Sequence, residues 1–493
     1  MGSDVQRLRQ AASSDGRNGM PEASFFTDML QSITDHGRQL LFSGSRNTQA
    51  AAKADLLTLC EMLLSSRGEA SGIALAAEIL DRWGALDGEG AQNFFHVLHE
   101  NFGPDTVRLD RAMENYRTDK SAAAVIALHQ AAEPRRQELL RRLNHAPNGT
   151  ARLVRMRQQL LASKDQSEAY QALDADFTHL FGSWFNRGFL TLRPIDWSTP
   201  AYILEKIIRY EAVHEIAGWE ELRRRLAPAD RRCFAFFHPR LADEPLVFVE
   251  VALTRSVPSG IADVLDEGRE QINADQATTA VFYSISNCQD GLRGISFGNF
   301  LIKQVVEDLR KDLPGLKNFV TLSPVPGFAR WLAKARTAAG DASLSEAALK
   351  TLTLLDDPDW PDNESSAADV ERVLLPLAAR YFLTERTPEG RPVDPVARFH
   401  LGNGARLERV NFLGDRSPKA LQQAHGLMVN YLYKLDDIVA NHEALAQRGE
   451  VIASPAVKSM LNQNDEGRRS GNGQQGSRAF AQLMNSTLGG GRK

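Results

Sequence analysis

Between Phe282 and Phe328 the chain gathers the residue types needed to hold a phosphate-bearing acyl thioester: an apolar strand, a glycine loop, an amphipathic helix and a Ser-Pro-Val-Pro-Gly turn. Ala280-Val281-Phe282-Tyr283-Ser284-Ile285-Ser286 is rich in β-branched and aromatic residues, as a buried strand is, and the stretch from Asn287 to Gly298 then supplies Gly291, Gly294 and Gly298. Ile302, Val305, Val306 and Leu309 recur at helical spacing, which predicts a helix from about 299 to 311 opening straight out of the loop. Unpaired backbone N–H groups and the positive dipole end attract phosphate at such a terminus. The spacing is neither G-x-G-x-x-G nor G-x-x-x-x-G-K-[ST], so the dinucleotide and P-loop readings lack their defining residues. Glycines that only satisfy a tight turn fit the same spacing, and the loop alone does not decide.

The elements around this stretch differ along the chain. From about 22 to 190 prolines are scarce and apolar residues recur helically, as in Leu56, Leu57, Cys60, Leu63 and Leu64, or Ile73, Ala76, Ala77 and Leu80, which predicts a helical bundle. From Cys233 the texture turns to short apolar runs. Phe234–Phe237 and Leu246–Leu253, parted by Pro239 and Pro245, read as adjacent antiparallel strands of a central sheet. Residues 397–401 and 407–412 flank Gly402-Asn403-Gly404-Ala405 and read as a hairpin, and the segment 335–395 reads as mostly helical. Polar, glycine-containing residues at 1–21 and an Asn/Gln/Gly/Ser/Arg-rich stretch at 461–493 predict disordered tails.

The 493 residues exceed one typical core, so two domains are expected. A net charge of -4 gives no global reason to bind nucleic acid. Three scattered cysteines, Cys60, Cys233 and Cys288, argue against a zinc ribbon or a disulfide framework and for a reducing, cytoplasmic setting. No apolar run of about 18 residues suggests a membrane span, and no secretory signal is read. His96 and His99 beside Glu100 mimic a metal pair without the H-E-x-x-H order, so no metal is expected.

Six stretches carry a resemblance. Phe282-Tyr283-Ser284-Ile285, Gly291-Leu292-Arg293-Gly294, Gly298-Asn299-Phe300-Leu301-Ile302-Lys303, Leu322-Ser323-Pro324-Val325-Pro326-Gly327-Phe328, Phe399-His400-Leu401-Gly402-Asn403-Gly404-Ala405 and Gly426-Leu427-Met428-Val429-Asn430-Tyr431 are, in that order, similar to malonyl-CoA decarboxylases over roughly residues 190 to 440. The resemblance implies an α+β, multidomain protein. A helical domain at 22–190 precedes a GNAT-like α/β catalytic domain at 191–460 with a mixed, largely antiparallel sheet. It further implies malonyl-CoA as substrate, acetyl-CoA as product, no cofactor, and a homodimer or homotetramer joined through the helical domain.

Decarboxylation of malonyl-CoA needs no metal, because the thioester carbonyl accepts the electron pair released on C–C cleavage. The protein must supply donors for the developing enolate oxygen and an acid for the enolate carbon. By motif match, His400 stands where the family's catalytic histidine does and Ser323 where its serine does. The resemblance makes His400 the proton donor, its ordinary pKa of about 6.5 placing a rate limb near neutrality, and makes Ser323 the group that positions the malonyl moiety. Arg293, Gly294, Ile295, Ser296, Phe297, Gly298 and Asn299 carry over as the substrate-binding segment, with backbone N–H groups there as enolate donors, and Tyr431 as a core aromatic that can line the site. Ser296 replaces an acidic residue that some members carry, so any carboxylate orienting His400 must come from elsewhere. Without the resemblance, His400 is a structural histidine beside a turn and Ser323 an ordinary turn residue. An acyl-CoA N-acyltransferase and a non-catalytic CoA-binding scaffold remain the alternatives.

Overall fold

The computed structural model of the chain describes residues 29, 31–36, 55–66, 68–165, 167–295, 297, 301–337 and 344–461. The tail expected at 1–21, nearly all of that expected at 461–493, and Ser296, Gly298 and Asn299 lie outside them. The chain forms two compact units. One comprises residues up to Thr191 with Phe236–Val247 and Asn287–Phe297, and the other Leu192–Ala235, Phe248–Ser286 and Gly298–Lys493.

The first unit contains eight helices between Leu56 and Trp184 among the described residues. Their starts follow from side-chain capping: Asp55, Asp87, Asp105 and Ser121 each accept a backbone N–H three residues on. The helical spacing is realised as burial, with Cys60, Leu63, Ile73, Ala76, Ala77 and Leu80 inside. Phe95, Leu139, Leu153, Phe177, Phe181 and Phe185 complete the core, each such side chain contributing about 1.5–3 kcal/mol of hydrophobic stabilisation. Leu292 and Ile295 of the glycine loop are buried in this same core, and Phe297 packs against it.

The second unit is built on a sheet of β1 (Thr191–Ile195), β2 (Arg231–Phe237), β3 (Val247–Thr254), β4 (Thr279–Asn287), β5 (Asn318–Thr321), β6 (Ser323–Pro324), β7 (Arg406–Asn411) and β8 (Met428–Leu432). Their order is β1-β2-β3-β4-β5-β8-β6, with β7 also pairing β8. β2 and β3 are neighbours, as the apolar runs require. β4 and β5 are parallel, whereas β5, β6 and β7 each run antiparallel to β8, so the sheet is mixed. The helix Leu301–Asp312 connects the parallel pair and buries Leu301, Ile302, Val305, Val306 and Leu309, the stripe its spacing predicts. Helices at Phe328–Thr337, Glu346–Leu352 and Glu364–Leu383 fill the segment after β6.

One expected strand is a helix. Residues 397–401 do not pair with β7 in a hairpin; they lie in the helix Pro395–Gly402. The cause is local: Asp394 accepts the N–H groups of Val396 and Ala397, and Pro395 at the first helical position is pre-set for helical φ. Five residues, Ala397-Arg398-Phe399-His400-Leu401, cannot by themselves distinguish strand from helix. β7 pairs with β8 instead.

Candidate active site

Side-chain alternation sorts this sheet into two faces. Val281 and Tyr283 of β4, Val320 and Leu322, and Met428 join Ala252 and Val264 in a buried apolar cluster. The intervening residues, Phe282, Thr321, Ser323 and Tyr431, therefore project to the other face, as does Tyr433 just past β8. Register brings them level: Phe282 lies opposite Thr321, and Ser323 opposite Val429. The β4–β5 register ends at this pair although β4 runs on to Asn287. Crevices outside the carboxyl ends of strands are the usual ligand sites of α/β sheets.

His400 arrives on this face from the helix Pro395–Gly402. Its Nε2 is 3.1 Å from Ser323 Oγ, and its Nδ1 is 2.8 Å from the hydroxyl of Tyr433. Ser323 in turn donates to Thr321 Oγ1 over 2.9 Å. The Tyr431 ring stacks on the imidazole at 4.7 Å between centroids, and Phe399 meets it edge-on at 5.1 Å. Asp394 holds the helix start, and Tyr381 donates to its other carboxylate oxygen over 3.2 Å.

The electrostatics follow from burial. Ser323, His400, Tyr431 and Tyr433 are all within the interior. Desolvation pushes the His400 pKa down to about 3, so the imidazole is neutral at physiological pH rather than poised at the ordinary histidine value. Desolvation also lifts the Tyr433 phenol well above its usual range and keeps it protonated. A protonated phenol can donate to Nδ1 or accept from it, so this contact holds the ring without by itself choosing the tautomer. Tyr433 thus occupies the place where sequence reasoning sought a carboxylate. Its signal was the Tyr431-x-Tyr433 alternation, which puts both rings on one face.

Ser323, His400 and Tyr431 are therefore brought together. The described part of the glycine segment belongs to the helical unit. There, Gly291 is pressed against the helix Gly149–Ala162, where an added Cβ would lie 2.0 Å from the Val154 carbonyl oxygen. Arg157 on that helix donates through Nη1 to the carbonyls of Gly291 and Arg293 at 2.8 and 2.9 Å. Gly294 adopts φ +81 in open space, a conformation glycine takes without strain. Arg293 and Gly294 are exposed, whereas the Ile295 side chain is committed to the core.

Other histidines have structural partners. His96 Nε2 lies 3.3 Å from Asp165. His238 is 3.1 Å from the Trp184 carbonyl and accepts the Arg240 N–H. No helix among the described residues is long and apolar enough to cross a membrane.

Helices joined to an α/β unit whose mixed sheet carries a buried serine–histidine pair define the class. Comparison with known proteins gives the particular family. The malonyl-CoA decarboxylase C-terminal domain matches residues 188–471, and the malonyl-CoA decarboxylase N-terminal domain matches residues 102–185. The crystal structure of malonyl-CoA decarboxylase from Agrobacterium vitis is 74% identical and covers 83% of this chain and 100% of its own, with a TM-score of 0.80. That from Cupriavidus metallidurans is 35% identical over 84% of this chain and 100% of its own, with a TM-score of 0.64. The mitochondrial malonyl-CoA decarboxylase of Anser anser anser is 36% identical over 354 residues, 67% of this chain and 70% of that protein. The chain belongs to the malonyl-CoA decarboxylase family of carboxy-lyases.

Proposed function

We propose that this protein converts malonyl-CoA to acetyl-CoA and carbon dioxide, with Ser323 positioning the malonyl group and His400 protonating the enolate. The observation that carries the proposal is the buried Tyr433–His400–Ser323 chain within a family whose relatives are named for this reaction. A malonyl carboxylate placed beside Nε2 raises the proton affinity of the imidazole, so substrate arrives together with a proton taken up from solvent. C–C cleavage then sends its electron pair onto the thioester carbonyl, carbon dioxide leaves, and Nε2 delivers its proton to the enolate carbon. The imidazole is left neutral with its remaining hydrogen on Nδ1, which the Tyr433 oxygen accepts, and proton exchange restores the Nε2–H form of the free site. A tyrosine suits this cycle better than a carboxylate, because a hydroxyl can donate to neutral imidazole or accept from imidazolium without fixing the charge.

In this reading the substrate-binding segment is Arg293 to Asn299, with backbone N–H groups there serving the enolate oxygen, each such donor being worth about 3 kcal/mol by analogy with oxyanion holes. The second unit is read as GNAT-like on the strength of its parallel β4–β5 pair within an otherwise antiparallel surround. Assembly into a homodimer or homotetramer is assigned to the helical unit. Its helices Thr106–Thr118 and Ala122–Ala132 bury only Ala112, Ala124 and Ala131 while exposing Val107, Met113, Val125 and Ile126. A cytoplasmic setting accords with three buried thiols, of which Cys60 is pushed up to about 12 by desolvation.

The test mixes purified protein with malonyl-CoA, without added metal or amine, and follows acetyl-CoA by mass spectrometry. Acetyl-CoA from the wild type, absent with the Ser323→Ala/His400→Asn double variant, is the expected result. Intact malonyl-CoA would overturn the proposal and move the weight to acyl transfer or simple CoA binding.

A further inference from the structure

We propose that Thr321 is a positioning residue that sets which nitrogen of His400 carries the proton, by holding the Ser323 hydroxyl as a donor pointed away from the imidazole. Thr321 is fully buried, and its Oγ1 accepts two hydrogen bonds: the Ser323 hydroxyl at 2.9 Å and the Tyr431 backbone N–H at 3.1 Å. Its carbonyl is fixed as well, by Asn430 Nδ2 at 2.7 Å. A serine hydroxyl has one hydrogen, so the Ser323 proton given to Thr321 cannot also be given to His400. Across the 3.1 Å contact Ser323 Oγ must then accept, and Nε2 must donate. Tyr433 on Nδ1 can donate or accept, so it follows the tautomer that the serine side sets.

Thr321 thus selects the Nε2–H form by controlling the serine, and the Tyr433 hydroxyl accommodates it. The arrangement also separates this Ser–His pair from a nucleophilic one, in which the histidine nitrogen accepts the serine proton and activates the oxygen for attack. The i, i+2 spacing of Thr321 and Ser323 on one face of an extended chain is what brings the two hydroxyls together.

Thr321→Val keeps the shape but removes the acceptor. The Ser323 hydrogen then turns to Nε2, and the imidazole hydrogen moves to Nδ1, where the Tyr433 oxygen accepts it. The experiment records long-range ¹H–¹⁵N correlations of the full chain labelled in histidine, with His400 assigned by difference from His400→Asn. Wild type and Thr321→Ser are expected to show the hydrogen on Nε2, and Thr321→Val on Nδ1. If the valine variant does not fold, Thr321→Cys, a weaker acceptor of similar size, is expected to show a mixture of both forms. An Nε2–H signal unchanged in the valine or cysteine variant overturns the proposal.

A kinetic arm rests on the decarboxylase reading. There Thr321→Val frees the Ser323 hydrogen to occupy Nε2, the nitrogen that delivers the proton, so kcat is expected to fall by up to about 10²-fold, with KM little changed and most of the rate restored by Thr321→Ser. A tautomer shift with an unchanged rate would sustain the role of Thr321 in the free site and overturn the kinetic arm. Equal losses in the serine and valine variants would reduce Thr321 to a packing residue.

Discussion

In the proposed reaction His400 combines two demands that oppose each other: it must be buried among aromatic rings to be held in place, and it must move a proton. Burial alone pushes its pKa down to about 3. The protonated form therefore has to be created by substrate. Above pH 3, kcat/KM is expected to fall steadily as pH rises, because each turnover requires a proton the free site does not hold. A profile flat below about 6.5 and falling only above it would contradict the buried neutral imidazole. Replacing His400 by Asn should remove this dependence and lower turnover by about 10²- to 10⁴-fold. The same shift bears on stability. The unfolded histidine, with a pKa of about 6.5, binds its proton before the folded one does, so the His400 contribution is complete above that value and is lost as pH falls from 6.5 toward 3. Urea unfolding of wild type and His400→Asn across that window measures it: the two should converge at low pH.

At the scale of elements, the helix Pro395–Gly402 is the part that delivers His400, and Asp394 is what starts it. Asp394 is buried, accepts from two backbone N–H groups, and takes a third hydrogen bond from Tyr381. Asp394→Ala is expected to destabilise the fold by about 1–3 kcal/mol in urea titration and to lower activity further than stability explains, since the helix carries the imidazole. Asp394→Asn keeps an acceptor oxygen and should recover most of the stability. Gly291 makes a corresponding statement for the helical unit. With the Val154 carbonyl 2.0 Å from any Cβ, Gly291→Ala must displace the helix Gly149–Ala162, and the loss should appear as lower thermal stability by calorimetry.

At the scale of the whole molecule, the helical unit is more than a separate bundle. It includes the segments Phe236–Val247 and Asn287–Phe297, which arrive from the sheet half of the sequence. Arg157 ties that second segment down, donating to Gly291, Arg293, Asp174 and Thr178. The exposed apolar residues of the helices Thr106–Thr118 and Ala122–Ala132 are expected to be covered in an oligomer. Val107→Glu combined with Ile126→Glu should reduce the mass measured by light scattering while leaving the isolated fold intact by circular dichroism. An unchanged mass would assign the assembly to another surface.

Local pattern was enough to determine the helical half, the neighbouring β2 and β3 and the helix after the glycine loop, while the family resemblance marked a serine and a histidine worth testing. Those features depend on period, capping and short motifs, which act within a few residues. The tertiary structure decided the rest. His400 and Ser323 are 77 positions apart, and nothing local measures their 3.1 Å contact. Tyr433 and Thr321 each lie two residues from a residue the sequence had already marked, yet their roles exist only once β5 and β8 place them on one face. The strand expected at 397–401 became a helix because a cap and a proline outweighed the alternation of Ala397, Phe399 and Leu401 with Arg398 and His400. Burial, which makes His400 neutral, is a property of the folded whole, so no reading of the residue type could supply its charge.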